Sequence, residues 1–240
     1  MMRRTILILL AMLTLAPAAV SGQDSESLYN GWGFGFQVGA GGLFPTGSMG
    51  DELKGCALFT GGLNVEYDRL RLKAAVSYGQ PSFNNENPYA VRDSEGRNIQ
   101  LNATANPTLL ATGVQLGCTV WQGGKVSVTP AVGLSASRLS WDINHIKYEK
   151  DDDGIERPMI EDVTATRENT LGWLASVDID IRLHGKLVDR PAGDGQAHYT
   201  SSLRITPFVT HGRYGRLIPA ASGCCLGVTV SYAGLLRLMK

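Results

Sequence analysis

From Val126 onward, every second residue of KVSVTPAVGLSAS (residues 125–137) is apolar. Val126, Val128, Pro130, Val132, Leu134 and Ala136 alternate with Ser127, Thr129, Ala131, Gly133, Ser135 and Ser137. A period of two marks an extended strand, because successive side chains point to opposite faces. Seven further segments repeat it, giving eight in all over roughly 34–44, 56–67, 70–79, 109–121, 125–137, 171–183, 202–212 and 225–236. Phe59, Leu63, Val65 and Tyr67 share one face of the second segment, and Thr60, Asn64 and Glu66 the other. In the third, Leu70, Leu72, Ala74, Val76 and Tyr78 oppose Arg71, Lys73 and Ser77. The sixth sets Leu171, Trp173, Val177, Ile179 and Ile181 against Ser176, Asp178, Asp180 and Arg182. The eighth sets Leu226, Val228, Val230 and Tyr232 against Gly227, Thr229, Ser231 and Ala233.

The alternation also predicts registers. A two-residue turn at Asp68-Arg69 places Tyr67 opposite Leu70, Glu66 opposite Arg71 and Val65 opposite Leu72, so apolar meets apolar and charge meets opposite charge. A three-residue turn of Gln122, Gly123 and Gly124 keeps the faces matched in the next hairpin, pairing Val120 with Val126 and Leu116 with Pro130. Pro130 and Pro207 sit mid-strand without an N–H to donate, and each predicts a local bulge. At one end the connections are these two turns and a longer one, roughly 184–201. At the other end lie 45–55, 80–108, 138–170 and 213–224, two of them long and polar.

Periodicity alone leaves open which face meets solvent; an apolar face turned inward would make a soluble sandwich or a lipocalin-like barrel. Four features favour apolar-outward. The polar parity is rich in Gly, Ala, Ser and Thr, which suits the narrow interior of an eight-stranded barrel. It also carries mid-strand charges of both signs, whereas the exposed face of a lipocalin would be richer in Lys and Glu. The apolar segments have the length of a tilted membrane-crossing strand. Aromatics (Trp32, Phe34, Phe44, Phe59, Tyr67, Tyr78, Trp173, Tyr199) gather near segment ends, as two interfacial girdles require. The expected fold is all-β: an eight-stranded antiparallel up-and-down transmembrane β-barrel. Short turns at one end and long loops at the other are typical of outer-membrane barrels.

The chain starts MMRRTILILLAMLTLAPAAVSGQ, with basic Arg3 and Arg4, an apolar run from Ile6 to Leu15 and a small-residue exit ending at Gly22. Residues 1–22 are expected to be a secretory signal peptide, which leaves 23–240 as the barrel domain. The chain carries 22 basic and 22 acidic residues, and this balance argues against nucleic-acid binding.

The signal peptide, the opening GWGFGFQVGAGG, the eight segments and the alternation of long and short connections together resemble the small outer-membrane β-barrel family of Gram-negative bacteria, including PorT-like barrels. The resemblance is one of pattern over nearly the whole mature chain. One departure is the C-terminal LLRLMK, where such barrels often end in an aromatic residue. The resemblance implies residence in the outer membrane, with the lipid bilayer as a partner and an extracellular or envelope protein as another. An accessory role in a secretion machine is among its implications.

The candidate site residues are charged. Glu66, Arg71, Lys73, Asp178, Asp180, Arg182 and Arg204 share the inward parity and are expected to fill the lumen as a paired structural network. Cys56 and Cys225, both inward and near the long-loop end, are the candidate disulfide in an oxidising compartment, though spacing leaves connectivity open. Lipid-modifying barrels use a surface His, and His211 is the residue here to test for that activity. The tip KYEKDDDGIERPMIED places Glu149, Asp151 and Asp153 like calcium ligands around Gly154, but Ile160 stands where a bidentate acid is needed. It reads as a solvated tip capping a ribbon that continues the fifth and sixth strands. No cofactor and no metal are expected. The function expected is structural or surface-interacting, through 80–108 and 138–170, in a monomer. The alternatives are a narrow solute or ion pore, a secretion accessory and a lipid-modifying enzyme.

Overall fold

The computed structural model describes residues 31–84, 89–92, 98–103, 107–150, 152–189, 196–215 and 221–238. The expected signal peptide lies outside the described residues. The strands are β1 (Trp32–Pro45), β2 (Cys56–Tyr67), β3 (Leu70–Gly79), β4 (Tyr89–Arg92), β5 (Asn98–Ala103), β6 (Thr108–Cys118), β7 (Trp121–Gln122), β8 (Val126–Lys150), β9 (Glu156–Asp189), β10 (Gln196–Tyr214) and β11 (Ala221–Leu238). One short helix, α1 (Ser48–Glu52), interrupts them.

Eight strands close a ring in the order β1-β2-β3-β6-β8-β9-β10-β11, every neighbour antiparallel. The ring is sealed by β1 and β11, paired from Gly33↔Arg237 to Pro45↔Cys225. Closure leaves the barrel wall without an unpaired edge, the condition for strands to cross hydrocarbon.

The two faces are sorted as the alternation predicts. Leu63, Val114, Leu134 and Leu171 project outward, Leu134 at 73% and Leu171 at 84% exposure, while Asp178 and Thr129 are wholly enclosed. Bare apolar surface in water costs about 25 cal/mol per Å². An apolar outside around a charged inside is therefore stable only where hydrocarbon replaces water. Aromatics ring the wall at two levels. Trp32, Phe34, Tyr67 and Tyr232 stand near the short turns, and Phe44, Phe59 and Tyr78 near the long loops.

The Asp68-Arg69 turn forms as expected, with Tyr67↔Leu70, Glu66↔Arg71 and Val65↔Leu72, and Asp68 adopts φ 56°. The next hairpin differs. Leu116 pairs with Val132 rather than Pro130, and Trp121 pairs with Val128 one residue out of step, so an extra residue is absorbed between Cys118 and Trp121. A shift of two residues leaves every side chain on its face, so parity cannot choose between these registers. Pro130, lacking a donor, lies beside this irregular stretch. Pro207 causes no bulge. Its register with β11 is unbroken, and the ladder to β9 lapses at Thr206 and Pro207, then resumes unshifted at Phe208↔Ser176.

Beyond the wall the long loops are ordered as sheet. β8 and β9 stay paired out to Lys150↔Glu156, roughly 30 Å past the last rung that β8 shares with β6, Thr108↔Ser140. β5 adds to this ribbon through Leu101↔His145 and carries β4 on its far edge. Within 80–108 and 138–170, β4, β5 and the outer parts of β8 and β9 thus build one four-stranded sheet, β4-β5-β8-β9.

Candidate functional site

The lumen is filled in three layers. The middle one is a belt of charges that the strand parity aims inward from five strands. Asp178 on β9, fully enclosed, accepts from Lys73 Nζ (2.8 and 3.1 Å), Arg71 Nη1 (3.2 Å) and Thr206 Oγ1 (2.8 Å). Asp180, one inward step along, accepts from Arg204 Nε (2.6 Å) and Arg71 Nη2 (3.0 Å). Arg71 also donates from Nε to Glu66 (2.7 Å), whose other oxygen takes Arg237 Nη2 at 2.6 Å. Arg204 donates to Gln37 on β1 at 2.7 Å. Because β3 and β9 stand on different walls of the ring, the Arg71 and Lys73 bonds cross the barrel bore.

Of the seven charged residues singled out in the sequence, six meet in this belt: Glu66, Arg71, Lys73, Asp178, Asp180 and Arg204. Arg182 stays at the short-turn rim, donating a 3.4 Å bond to Gly124 O. It keeps the inward parity, in register with Ser202, but lies one step past Asp180 toward the turn; the β9 bulge opposite Ser201/Ser202 falls only beyond it, between Arg182 and His184. Arg237 joins the belt unforeseen. The marked segment stopped at 236, yet the parity Ser231, Ala233, Leu235, Arg237 already aimed it inward.

Above the belt is a chamber of about 110 Å³, walled by small residues including Ala75, Ser77, Gly113, Ser135 and Thr210. A lid closes it. The β1–β2 connection folds across the mouth, held by Thr46 N–H to Cys224 O (2.9 Å) and Lys54 N–H to Ser82 O (2.8 Å). It buries Met49 and Leu53 against Leu58, Leu109, Leu139, Trp141, Tyr214 and Phe83. Phe83 meets Trp141 edge-on, centroids 6.5 Å apart. Leu139 and Trp141 thus continue the inward face of β8, now apolar because they leave the charged bore and enter the lid. Burial pushes the Tyr214 phenol, which bonds Ser137 Oγ at 2.8 Å, up to about 12.

The Cys56–Cys225 bond does not form: Cys56, Cys118, Cys224 and Cys225 are all free thiols. β1 stands between their strands, with Cys56 level with Leu43 and Cys225 with Pro45, and Cys225 Sγ instead meets Met49 Sδ at 3.2 Å. His211 stacks on Trp173, centroids 6.2 Å apart and planes at 15°, and among the described residues neither a hydroxyl nor a carboxylate bonds it. At the ribbon tip Gly154 takes φ 75°, while Asp151 lies outside the described residues. Among the described residues no three His, Cys, Asp or Glu side chains gather as a metal site.

No family model matches the chain, and no curated protein matches it. Solved structures of three membrane proteins align with the chain at low identity. The outer membrane protease OmpT from Escherichia coli aligns at 11% identity over 91% of this chain and 100% of its own, with a TM-score of 0.35. A deltaS2 mutant of the monoaromatic hydrocarbon channel TodX aligns at 8% identity, 88% and 91% coverage, and TM-score 0.23. AlkL, solved by solid-state NMR in lipid bilayers, aligns at 14% identity, 92% of each chain, and TM-score 0.23.

Proposed function

We propose that this is an outer-membrane barrel with a sealed bore, which acts at the cell surface through the sheet that its long loops build. One observation carries the reading: Arg71 and Lys73 on β3 are tied to Asp178 and Asp180 on β9 across the lumen, all four side chains buried. Ions cannot pass without breaking a belt whose members would each be left as an uncompensated charge. The lid adds a second, apolar closure. What remains accessible on the long-loop side is the ribbon of β8 and β9 with its apolar residues Tyr148, Ile155, Met159 and Val163 exposed. That surface suits contact with another protein, and the resemblance to PorT-like barrels agrees with an envelope partner.

The second reading is a narrow pore, favoured by the open spaces above and below the belt. Planar-bilayer recording of purified protein separates them. The sealed barrel gives no conductance steps. Reproducible steps in the wild type, altered by Arg71→Gln or Glu66→Gln, would establish the pore instead. Deleting 141–165 should leave the barrel folded and abolish its capture of the partner in pull-downs from intact envelopes.

A further inference from the structure

Below the belt the bore opens into a vestibule of about 80 Å³ at the short-turn end. Its charge is lopsided. Arg71, Arg182, Arg204, Arg237 and Lys125 line it, against two carboxylates, Glu66 and Asp180. Those carboxylates are already engaged by Arg71, Arg204 and Arg237 at 2.6–3.0 Å. Arg182 and Lys125 are therefore surplus. Among the described residues no carboxylate pairs with either, and β8 and β9 hold them together through Arg182 N–H to Lys125 O at 2.7 Å. Thr200, Ser127 and Ser202 add hydroxyls to the same wall.

From this arrangement we propose that the vestibule binds one small phosphate-like oxyanion, gripped chiefly by Arg182 and Lys125. A guanidinium fork matches a tetrahedral oxyanion through paired N–H bonds, and an ammonium adds a point charge. Low-dielectric walls focus the surplus positive field into the cleft and raise the local anion concentration. The ion belt floors the space, so the anion is held rather than passed. His198 lies in the same wall, below the aromatic girdle, and reports the field. Burial and the neighbouring charges of Arg182 and Arg237 hold it below its ordinary value.

The phosphate could be a free ion or the headgroup of an anionic lipid in the facing leaflet, and the test has an arm for each. Full-length mature protein in a phosphate-free maltoside detergent is titrated with inorganic phosphate against chloride at equal ionic strength. A second titration adds phosphatidylglycerol to the micelles in phosphate-free buffer. The His198 ring resonances are followed by NMR, with His198→Gln identifying them. Binding raises the His198 pKa saturably in at least one arm, and the responding arm names the source. The Lys125→Gln/Arg182→Gln pair should weaken that binding at least tenfold, and Arg182→Lys by less. Both residues sit at the rim, and retained heat-modifiable gel mobility shows that the variants are folded. If phosphate and lipid are indistinguishable from chloride, or the response survives undiminished in the double variant or in Arg182→Lys when only that one folds, the proposal falls.

Discussion

Lys73 and Asp178 are 105 residues apart in the chain and meet inside the barrel, Nζ lying 2.8 and 3.1 Å from the two carboxylate oxygens. Asp178 is the hinge of the belt, since Arg71 and Thr206 bond it too and Arg204 stands 3.9 Å away. Asp178→Asn keeps the shape and removes the charge that three cations share. A buried pair broken on one side costs about 3–5 kcal/mol. Urea unfolding in detergent micelles should show a loss of that order. Adding Lys73→Met to Asp178→Asn should cost less than the sum of the single changes, because one orphaned cation disappears with it.

Leu134 tests the inside-out sorting directly. It projects outward at mid-wall, and arginine there faces hydrocarbon at a cost of about 2–4 kcal/mol at the midplane. Leu134→Arg should fold less stably in phospholipid vesicles by that amount, measured by reversible unfolding. An unchanged stability would mean that water, not lipid, bathes this face.

Packing between strands makes a sharper contrast. A Cβ on Gly133 would run into Val114 O and the Gln115 backbone of β6, whereas one on Gly124 meets nothing within 4 Å. Gly133→Val should abolish the heat-modifiable, folded band on gels. Gly124→Ala should leave it in place.

The lid has its own weak point. Leu139 is fully enclosed among Phe83, Trp141 and their neighbours, so Leu139→Ala should cost about 2–5 kcal/mol. The loss falls on the lid, not on the belt. Added trypsin should then cut after Lys54 on intact cells, with the barrel still resisting denaturation on gels.

Alkaline pH should loosen the same region through Tyr214. Its phenol is pushed from 10.0 up to about 12 by burial. Between those values the folded protein keeps a proton that the unfolded chain has lost. The stabilisation is therefore whole below pH 10 and drains away as pH climbs to 12. Tyr214→Phe should flatten this decline in chemical-denaturation curves taken from pH 9 to 12, while shifting stability at pH 8 by only about 1 kcal/mol.

Much of the belt was legible in the chain because inward parity needs no knowledge of neighbours: Glu66, Arg71, Lys73, Asp178, Asp180 and Arg204 all follow from counting by two. Arg182 obeys the same count, but it stands at the short-turn end, where among the described residues Gly124 O and not a carboxylate is within reach, and parity says nothing of depth. Arg237 was legible in principle, hidden only by ending the last segment at Leu236. The lid was illegible, since Met49, Leu53 and Phe83 belong to no periodic run and gain meaning only by packing on Leu139 and Trp141.

By itself the sequence determined the number of strands in the barrel wall, the face on which their residues stand, and the pairing of the one tight hairpin at Asp68-Arg69. These are local properties, set by a two-residue repeat and the demands of hydrocarbon outside a narrow bore. Only the tertiary structure decided the slip of Leu116 from Pro130 to Val132, the partners of each carboxylate across the lumen, and the free state of Cys56 and Cys225. A slip by two residues preserves every face, and bonds across the bore join segments whose distance in sequence carries no trace of their meeting. Ring closure chooses among such alternatives, because all eight strands must agree on one stagger at once.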